Sequence, residues 1–220
     1  MKPVVYGHPF ASFCWKVYIA ARERGVDYED RTVDADHPDH AAFCATAAPT
    51  GQFPILVHGD RTVIETAAII EYLDLHLGDA PPMVPADPRI AIEARQMDGV
   101  FDDYVSVPMA RIVMNALRPV DQRDTTGEAE ARSALDRTYA WLDRWMNGRT
   151  WASGDGFGIA DCAAAPALFY AHWVHPIPEA LGTLHGYRQR LLARPSVAVT
   201  VEGGRFFRPF FPFHGLRDPD

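Results

Sequence analysis

The chain has 220 residues, of which 48% are hydrophobic and 23% charged; that is enough for two small domains with buried cores and excludes wholesale disorder. Lys and Arg number 21 against 29 Asp and Glu, a formal net charge of −8, which argues against nucleic acid as a partner because phosphate backbones reward clustered cations. The N-terminus turns at Gly7-His8-Pro9 before any signal-peptide core can form, and no apolar run is long enough to cross a bilayer, so a cytoplasmic chain without membrane contact is expected.

Pro3 to Tyr6 reads as a short apolar strand. Phe13 to Arg24 reads as a helix, with Val17, Ala20 and Ala21 at helical spacing and Gly25 as its stop. Tyr28 to Val33 forms a second strand and Asp39 to Cys44 a short helical turn. Pro54 to His58 and Thr62 to Ile64 are strands joined through Gly59-Asp60, a two-residue hairpin turn. Thr66 to Leu77 is a helix whose Ile69, Ile70, Leu73 and Leu77 share a face, closed by Gly78. The order β-α-β-α-β-β-α combines a parallel pair with a hairpin.

Ala80-Pro81-Pro82-Met83-Val84-Pro85-Ala86-Asp87-Pro88 interrupts both periodicities and reads as a linker over 80–88, between an α/β domain at 1–79 and an all-helical domain at 89–220. In the second domain Ala91 to Tyr104 is a helix that Pro108 kinks or ends. Glu128 to Met146 is amphipathic, carrying Leu135, Tyr139, Leu142 and Met146. Ile159 to Trp173 is apolar on all sides and is expected at the centre. Leu181 to Ala193 is a helix stopped by Arg194-Pro195. The tail, Arg205 to His214, holds five Phe in ten positions; it must lie against the protein, as a wall of a binding pocket or as a plug of the helical domain.

Three cysteines, Cys14, Cys44 and Cys162, are widely spaced and form no CxxC pair, which fits a reducing compartment and gives no metal-finger pattern. His37-x-x-His40 and His172-x-x-His175 have a spacing that can hold a metal, but neither has an obvious third ligand, and no metal is expected. Asp161, three residues after Gly158, is expected to accept the Gly158 N–H as half of a capping box, a structural role.

The segment His8-Pro9-Phe10-Ala11-Ser12-Phe13-Cys14-Trp15-Lys16-Val17 joins the first strand to the first helix, where free N–H groups stabilise an anion and lower the pKa of a thiol. It resembles the N-terminal motif of bacterial cytosolic glutathione transferases, including the SSCSWRV motif of their zeta class. Ala48-Pro49-Thr50-Gly51-Gln52-Phe53-Pro54 is similar to that family's NPxGxVP loop, with Ala48 in place of Asn. Glu65-Thr66 resembles its Glu-Ser motif, and Phe157-Gly158-Ile159-Ala160-Asp161 its helical-domain capping box. The resemblance covers essentially the whole chain.

It implies a thioredoxin-like α/β N-terminal domain that binds glutathione and an all-α C-terminal domain, usually in a homodimer. It also implies a cis peptide bond before Pro54, with Phe53 offering backbone groups to the cysteinyl part of glutathione, and it implies Glu65 and Thr66 as holders of the γ-glutamyl ammonium and carboxylate. Thr66 can serve as the helix N-cap at the same time. Many relatives carry the thiol-activating Ser or Cys at the position of Ala11, which can do neither. Ser12 is then the candidate for the thiol-orienting hydroxyl, with the N-cap of the first helix as its alternative role, and Cys14 reads as a half-buried thiol. Tyr104, Met109, Arg111 and Met114 lie where the family's helical domain faces the second substrate; core packing and a solvated Arg are the alternative. The implied activity is addition of the glutathione thiolate to a small apolar electrophile. A zeta-type glutathione-dependent isomerase and a non-catalytic glutathione- or partner-binding module are the alternatives.

Overall fold

The computed structural model describes residues 1–216 and 219–220. Strands β1 (Val4–Gly7), β2 (Glu29–Thr32), β3 (Ile55–His58) and β4 (Arg61–Val63) form one sheet in the order β2-β1-β3-β4. β1 runs parallel to β2 through the crossover helix α1 (Ser12–Glu23), and antiparallel to β3, which pairs antiparallel with β4. Successive side chains alternate across the sheet. Val5 and Leu56 thus join α1 and α3 (Thr66–His76) in the main core, whereas Tyr6 and Ile55 face α2 (Pro38–Ala47) and pack with Cys44. This is a thioredoxin-like α/β domain. α2 is a full helix rather than the short turn expected over Asp39 to Cys44: Pro38 occupies its first turn, where a missing N–H costs nothing.

The rest is helical: α4 (Pro88–Phe101), α5 (Val107–Ala116), α6 (Thr125–Trp145), α7 (Ile159–Val174), α8 (Gly182–Ala193) and α9 (Pro195–Gly204). Pro108 does not end the helix that begins at Pro88. A π turn at Asp102–Ser106, in which the Val107 N–H donates to the Asp102 carbonyl, links α4 to α5, and Pro108 follows it in the first turn of α5. Arg194-Pro195 likewise ends α8 only to start α9, a helix not expected from the sequence, with Pro195 again at a helix N-terminus. A 3-10 segment, Arg205–Phe210, carries the tail back over the molecule.

α7 is buried on all sides, as its composition predicts. Its start is fixed by Asp161, which is fully buried. The carboxylate accepts the N–H groups of Gly158 (3.0 Å) and Ala152 (2.9 Å) and the Tyr187 hydroxyl (2.6 Å). Glycine is required at 158 because a Cβ there would lie 2.7 Å from the Met83 carbonyl oxygen, which in turn accepts the Ile159 N–H at 2.9 Å. The proline-rich segment is tied down at the same point: the Met83 and Val84 N–H groups donate to the two Asp74 carboxylate oxygens, each at 2.9 Å.

Asp161→Ala leaves three buried donors unpaired and is expected to lower stability by about 3 kcal/mol or more, read from the urea midpoint; a loss under about 1 kcal/mol would remove Asp161 from this role. Burial pushes its carboxyl from 3.8 up to about 6 against the pull of its donors. The folded state therefore holds this proton more tightly than the unfolded chain. This contribution favours folding below pH 3.8 and is lost as the pH rises through about 6. Asp161→Asn should abolish that part of the pH dependence.

Candidate active site

Gly7 ends β1, and α1 begins five residues later. Ala11 is the N-cap, in extended backbone and with no side chain to cap; Ser12 is the first helical residue. The sequence-based alternative of Ser12 as N-cap therefore does not hold, because the chain enters helical geometry one residue earlier than that role requires. The Ala11 carbonyl accepts the Trp15 N–H at 3.1 Å. The amides of Ser12, Phe13 and Cys14 thus have no intrahelical acceptor and add their partial positive charge to the helix end.

The loop before α1 is held both from the helical domain and from α1 itself. The Tyr170 hydroxyl on α7 donates to the Phe10 carbonyl (2.9 Å), and the Trp15 indole N–H donates to the Pro9 carbonyl (2.6 Å). His8 accepts the Phe10 N–H on Nδ1 at 3.1 Å. Burial lowers its imidazole pKa, with Asp34 and Asp30 opposing, which suits the neutral ring that this bond requires. Cys14 is not half-buried but wholly so; its Sγ accepts the His8 N–H at 3.3 Å, and burial pushes the thiol up to about 12. It is no nucleophile at neutral pH.

The Phe53–Pro54 peptide bond is cis, as the family resemblance implies. It precedes β3 and brings Phe53 to the edge of a polar cleft of about 260 Å³, which is lined also by Gln52, Glu65, Thr66 and Asp102. Glu65, not Thr66, is the N-cap residue of α3, and neither side chain caps the helix. Thr66 is the first helical residue and is buried. Glu65 sits at φ 70, the one non-glycine residue with positive φ among the described residues. Holding a glutamate there costs on the order of 1–3 kcal/mol, and strain of this kind concentrates at ligand clamps.

Beside it lies an apolar cleft of about 240 Å³, lined by Phe10, Ser12, Met109, Met114, Tyr170 and Phe211, among others. Phe13 and Phe53 border both clefts. Ser12, Phe53, Pro54, Glu65, Thr66 and Met114 are thus brought together. Tyr104 and Arg111 are not. Tyr104 lies two residues beyond Asp102, and on a helical segment that places it on the opposite side, in a groove with Val100, Pro108 and Trp141. Ala110, Val113 and Met114 share the cleft face at spacings of three and four. Arg111 is one step round and pairs with Asp124 (3.6 Å) and Glu130 (3.3 Å).

Phe10, Phe13, Tyr170 and Asp102 are cleft residues that the sequence reading did not single out. Phe10 and Phe13 were visible within the His8–Val17 motif, whereas Tyr170 and Asp102 had no local signal. The tail contributes Phe211, whose ring lies tilted with its centroid 4.5 Å from that of Trp173 on α7, and which walls the apolar cleft. The paired histidines have other partners. His37 contacts Asp34 at 2.7 Å, His40 the Thr32 carbonyl at 2.7 Å and His175 the Asp136 carboxylate at 2.7 Å. No group of three or more metal-capable side chains gathers among the described residues. No helix among them is long and apolar enough to cross a membrane.

All three cysteines are buried. A disulfide reagent added to the native protein should therefore modify none of them, and all three thiols should appear together with the unfolding transition. Rapid labelling of a single thiol in the native state would contradict the burial of Cys14.

Two family models match the chain, one described as glutathione S-transferase, N-terminal domain, over residues 5–81, and one as glutathione S-transferase, C-terminal domain, over residues 105–195. Among curated proteins, the chain is 28% identical over 202 residues to a stringent starvation protein A homolog of Coxiella burnetii, covering 90% of each. It is 26% identical over 181 residues to glutathione S-transferase 1 of Dianthus caryophyllus, covering 76% of each. A crystal structure of a glutathione S-transferase from Methylobacterium radiotolerans, in complex with glutathione sulfonate, superposes with a TM-score of 0.77 at 26% identity, over 91% of this chain and 95% of that one. With both domain models matched in order and the two-domain fold in place, the chain belongs to the glutathione S-transferase family.

Proposed function

We propose that the protein is a glutathione transferase, which binds glutathione in the polar cleft and directs its thiolate at a small apolar electrophile in the adjoining one. The observation that carries this reading is the adjacency of the two clefts across Phe13 and Phe53, with the N-terminus of α1 beside them. The polar cleft has the donors and acceptors that the tripeptide needs. The N-terminus of α3 at Thr66 suits a carboxylate, the Glu65 carboxylate suits an ammonium, and the backbone of Phe53 before cis-Pro54 suits a peptide.

The chemical task is to ionise a thiol. Lowering a thiol pKa from about 8.5 by about two units takes ~2.7 kcal/mol, and each hydrogen bond to a charged group contributes ~1.5–3 kcal/mol. The Ser12 hydroxyl together with the free amides of the α1 N-terminus is sufficient in magnitude, and no buried general base is needed. Cys14 takes no part. The apolar cleft then holds the electrophile among Phe10, Met109, Met114, Tyr170 and Phe211 and excludes water from the developing bond. Ala11, at the position where many relatives carry a thiol-activating group, favours a second reading, a glutathione-binding module without transferase activity. Titrating the thiolate absorbance of bound glutathione separates the two, since the enzyme must lower the thiol pKa.

We further propose a cytoplasmic homodimer, supported by the exposed apolar side chains Leu75, Tyr104 and Val107 on α3, the π turn and α5. Sedimentation at micromolar protein should give twice the chain mass, and a monomer would refute it.

Glu65→Ala should weaken glutathione binding about tenfold or more by calorimetry, since it leaves a ligand charge unpaired at a cost of ~1–3 kcal/mol. Ser12→Ala should reduce turnover far more than Cys14→Ala. Unchanged affinity in the first variant moves the binding site elsewhere; equal, small effects in the second pair leave the backbone amides as the only activators.

A further inference from the structure

The two clefts differ in what they offer a charge. The apolar cleft is walled by five aromatic rings, those of Phe10, Phe13, Phe53, Tyr170 and Phe211, and no ionisable Lys, Arg, His, Asp or Glu lines it. Its polar side chains are the hydroxyls of Ser12 and Tyr170. The Tyr170 hydroxyl already donates to the Phe10 carbonyl, and burial holds this phenol protonated, well above its ordinary pKa. In the proposed reaction Ser12 serves the thiolate. An anionic group on a second substrate therefore finds no donor left to it.

The cations around the cleft are matched or outnumbered by carboxylates. Arg111 stands on α5 beside Met109 and Met114, yet it pairs with Asp124 and Glu130. Lys16 on α1 is 1% exposed and lies 2.7 Å from Asp98 and 2.7 Å from Asp102. Arg208 in the tail, whose charge reaches Tyr170, binds both carboxylate oxygens of Asp220, and Arg205 shares that carboxylate at 2.9 Å. His8, its ring 4.6 Å from that of Phe207, is kept neutral by burial. The adjoining polar cleft adds Glu65 and Asp102 and, among the described residues, no cationic side chain. A carboxylate moved from water into the apolar cleft would lose its hydration without gaining a partner. A cationic group would meet the negative faces of aromatic rings and a negative thiolate beyond them.

We propose that the apolar cleft selects the second substrate by charge: it takes aromatic electrophiles that are neutral or carry a cationic group, and it rejects those that carry a carboxylate. The proposal rests on the transferase reading of the two clefts. The selection lies in what the cleft lacks, since the one arginine that its helix could have offered is turned away.

The test uses the full chain with saturating glutathione and three chloronitrobenzenes, bearing a carboxylate, a carboxamide or a trimethylammonium group para to the chlorine. In each, the thiolate sulfur bonds to the ring carbon that holds chlorine, and chloride leaves with the electron pair of the broken bond. Dividing each kcat/KM by the rate constant with free glutathione removes the intrinsic effect of the substituent. The corrected value for the carboxylate should lie about tenfold or more below that for the carboxamide, with the trimethylammonium compound level with the carboxamide or above it. Met114 is 61% exposed at this cleft. Met114→Arg should raise the ratio of carboxylate to carboxamide about threefold or more. A carboxylate within about twofold of the carboxamide would overturn the proposal, as would a trimethylammonium compound that is excluded as strongly as the carboxylate. An unmoved ratio in folded Met114→Arg would also overturn it; should that variant not fold, the wild-type series decides alone. Failure to conjugate any of the three while glutathione binds would overturn the transferase reading itself, and this inference with it.

Discussion

The candidate-site region depends on one long-range hydrogen bond, from the Tyr170 hydroxyl on α7 to the Phe10 carbonyl, across 160 residues of sequence. The Tyr170 side chain is buried, so breaking the bond would strand its hydroxyl at a cost of ~1–3 kcal/mol. Trp15 reinforces it by donating to the neighbouring Pro9 carbonyl while its ring packs 5.0 Å from Phe169 and 5.1 Å from Tyr170. The start of α1, with its free amides, is therefore placed by the helical domain as much as by its own strand. α7 can serve as that reference because Asp161 fixes where it begins and burial on all sides fixes how it lies.

The two domains divide the chemistry between them. The α/β domain supplies backbone polarity: the helix N-termini at Ser12 and Thr66 and the peptide at Phe53. The helical domain supplies apolar walls through Met109, Met114 and Tyr170, and the tail adds Phe211. Asp102 is the exception, a helical-domain carboxylate in the polar cleft, and it is also the residue held by a lysine from the other domain. Cys14 shows the opposite fate. It lies beside the same helix end, where a thiolate would be stabilised, yet complete burial outweighs the helix dipole and leaves the thiol protonated.

How much of this was legible in the sequence follows from the range of each interaction. Period-two and period-3.6 patterns located the strands and most helices, because those patterns record which side of an element meets the core. Proline was the weak point. Pro108 reads as a kink or an end and Arg194-Pro195 as a stop; α8 does end at Ala193, but both prolines also stand in the first turn of a following helix that the sequence reading did not mark. The motif residues Phe53, Pro54, Glu65 and Thr66 converge on one cleft because each is set by local backbone geometry next to a strand or helix end.

By itself, the sequence determined the α/β and all-helical halves, the mixed sheet, the central place of α7 and the structural role of Asp161, which follow from local spacing and from residues that act on neighbours a few positions away; the cis bond before Pro54 came from the resemblance of its loop to a family motif. Only the tertiary structure decided which of the residues near 100–115 face the cleft, since that depends on the π turn and on small rotations that put Met114 in and leave Tyr104 and Arg111 out. It also decided that Lys16 meets Asp98 and Asp102, and that Tyr170 grips Phe10. Such contacts join residues more than 80 positions apart, and nothing in the local sequence specifies a partner whose position is set by how two whole domains pack.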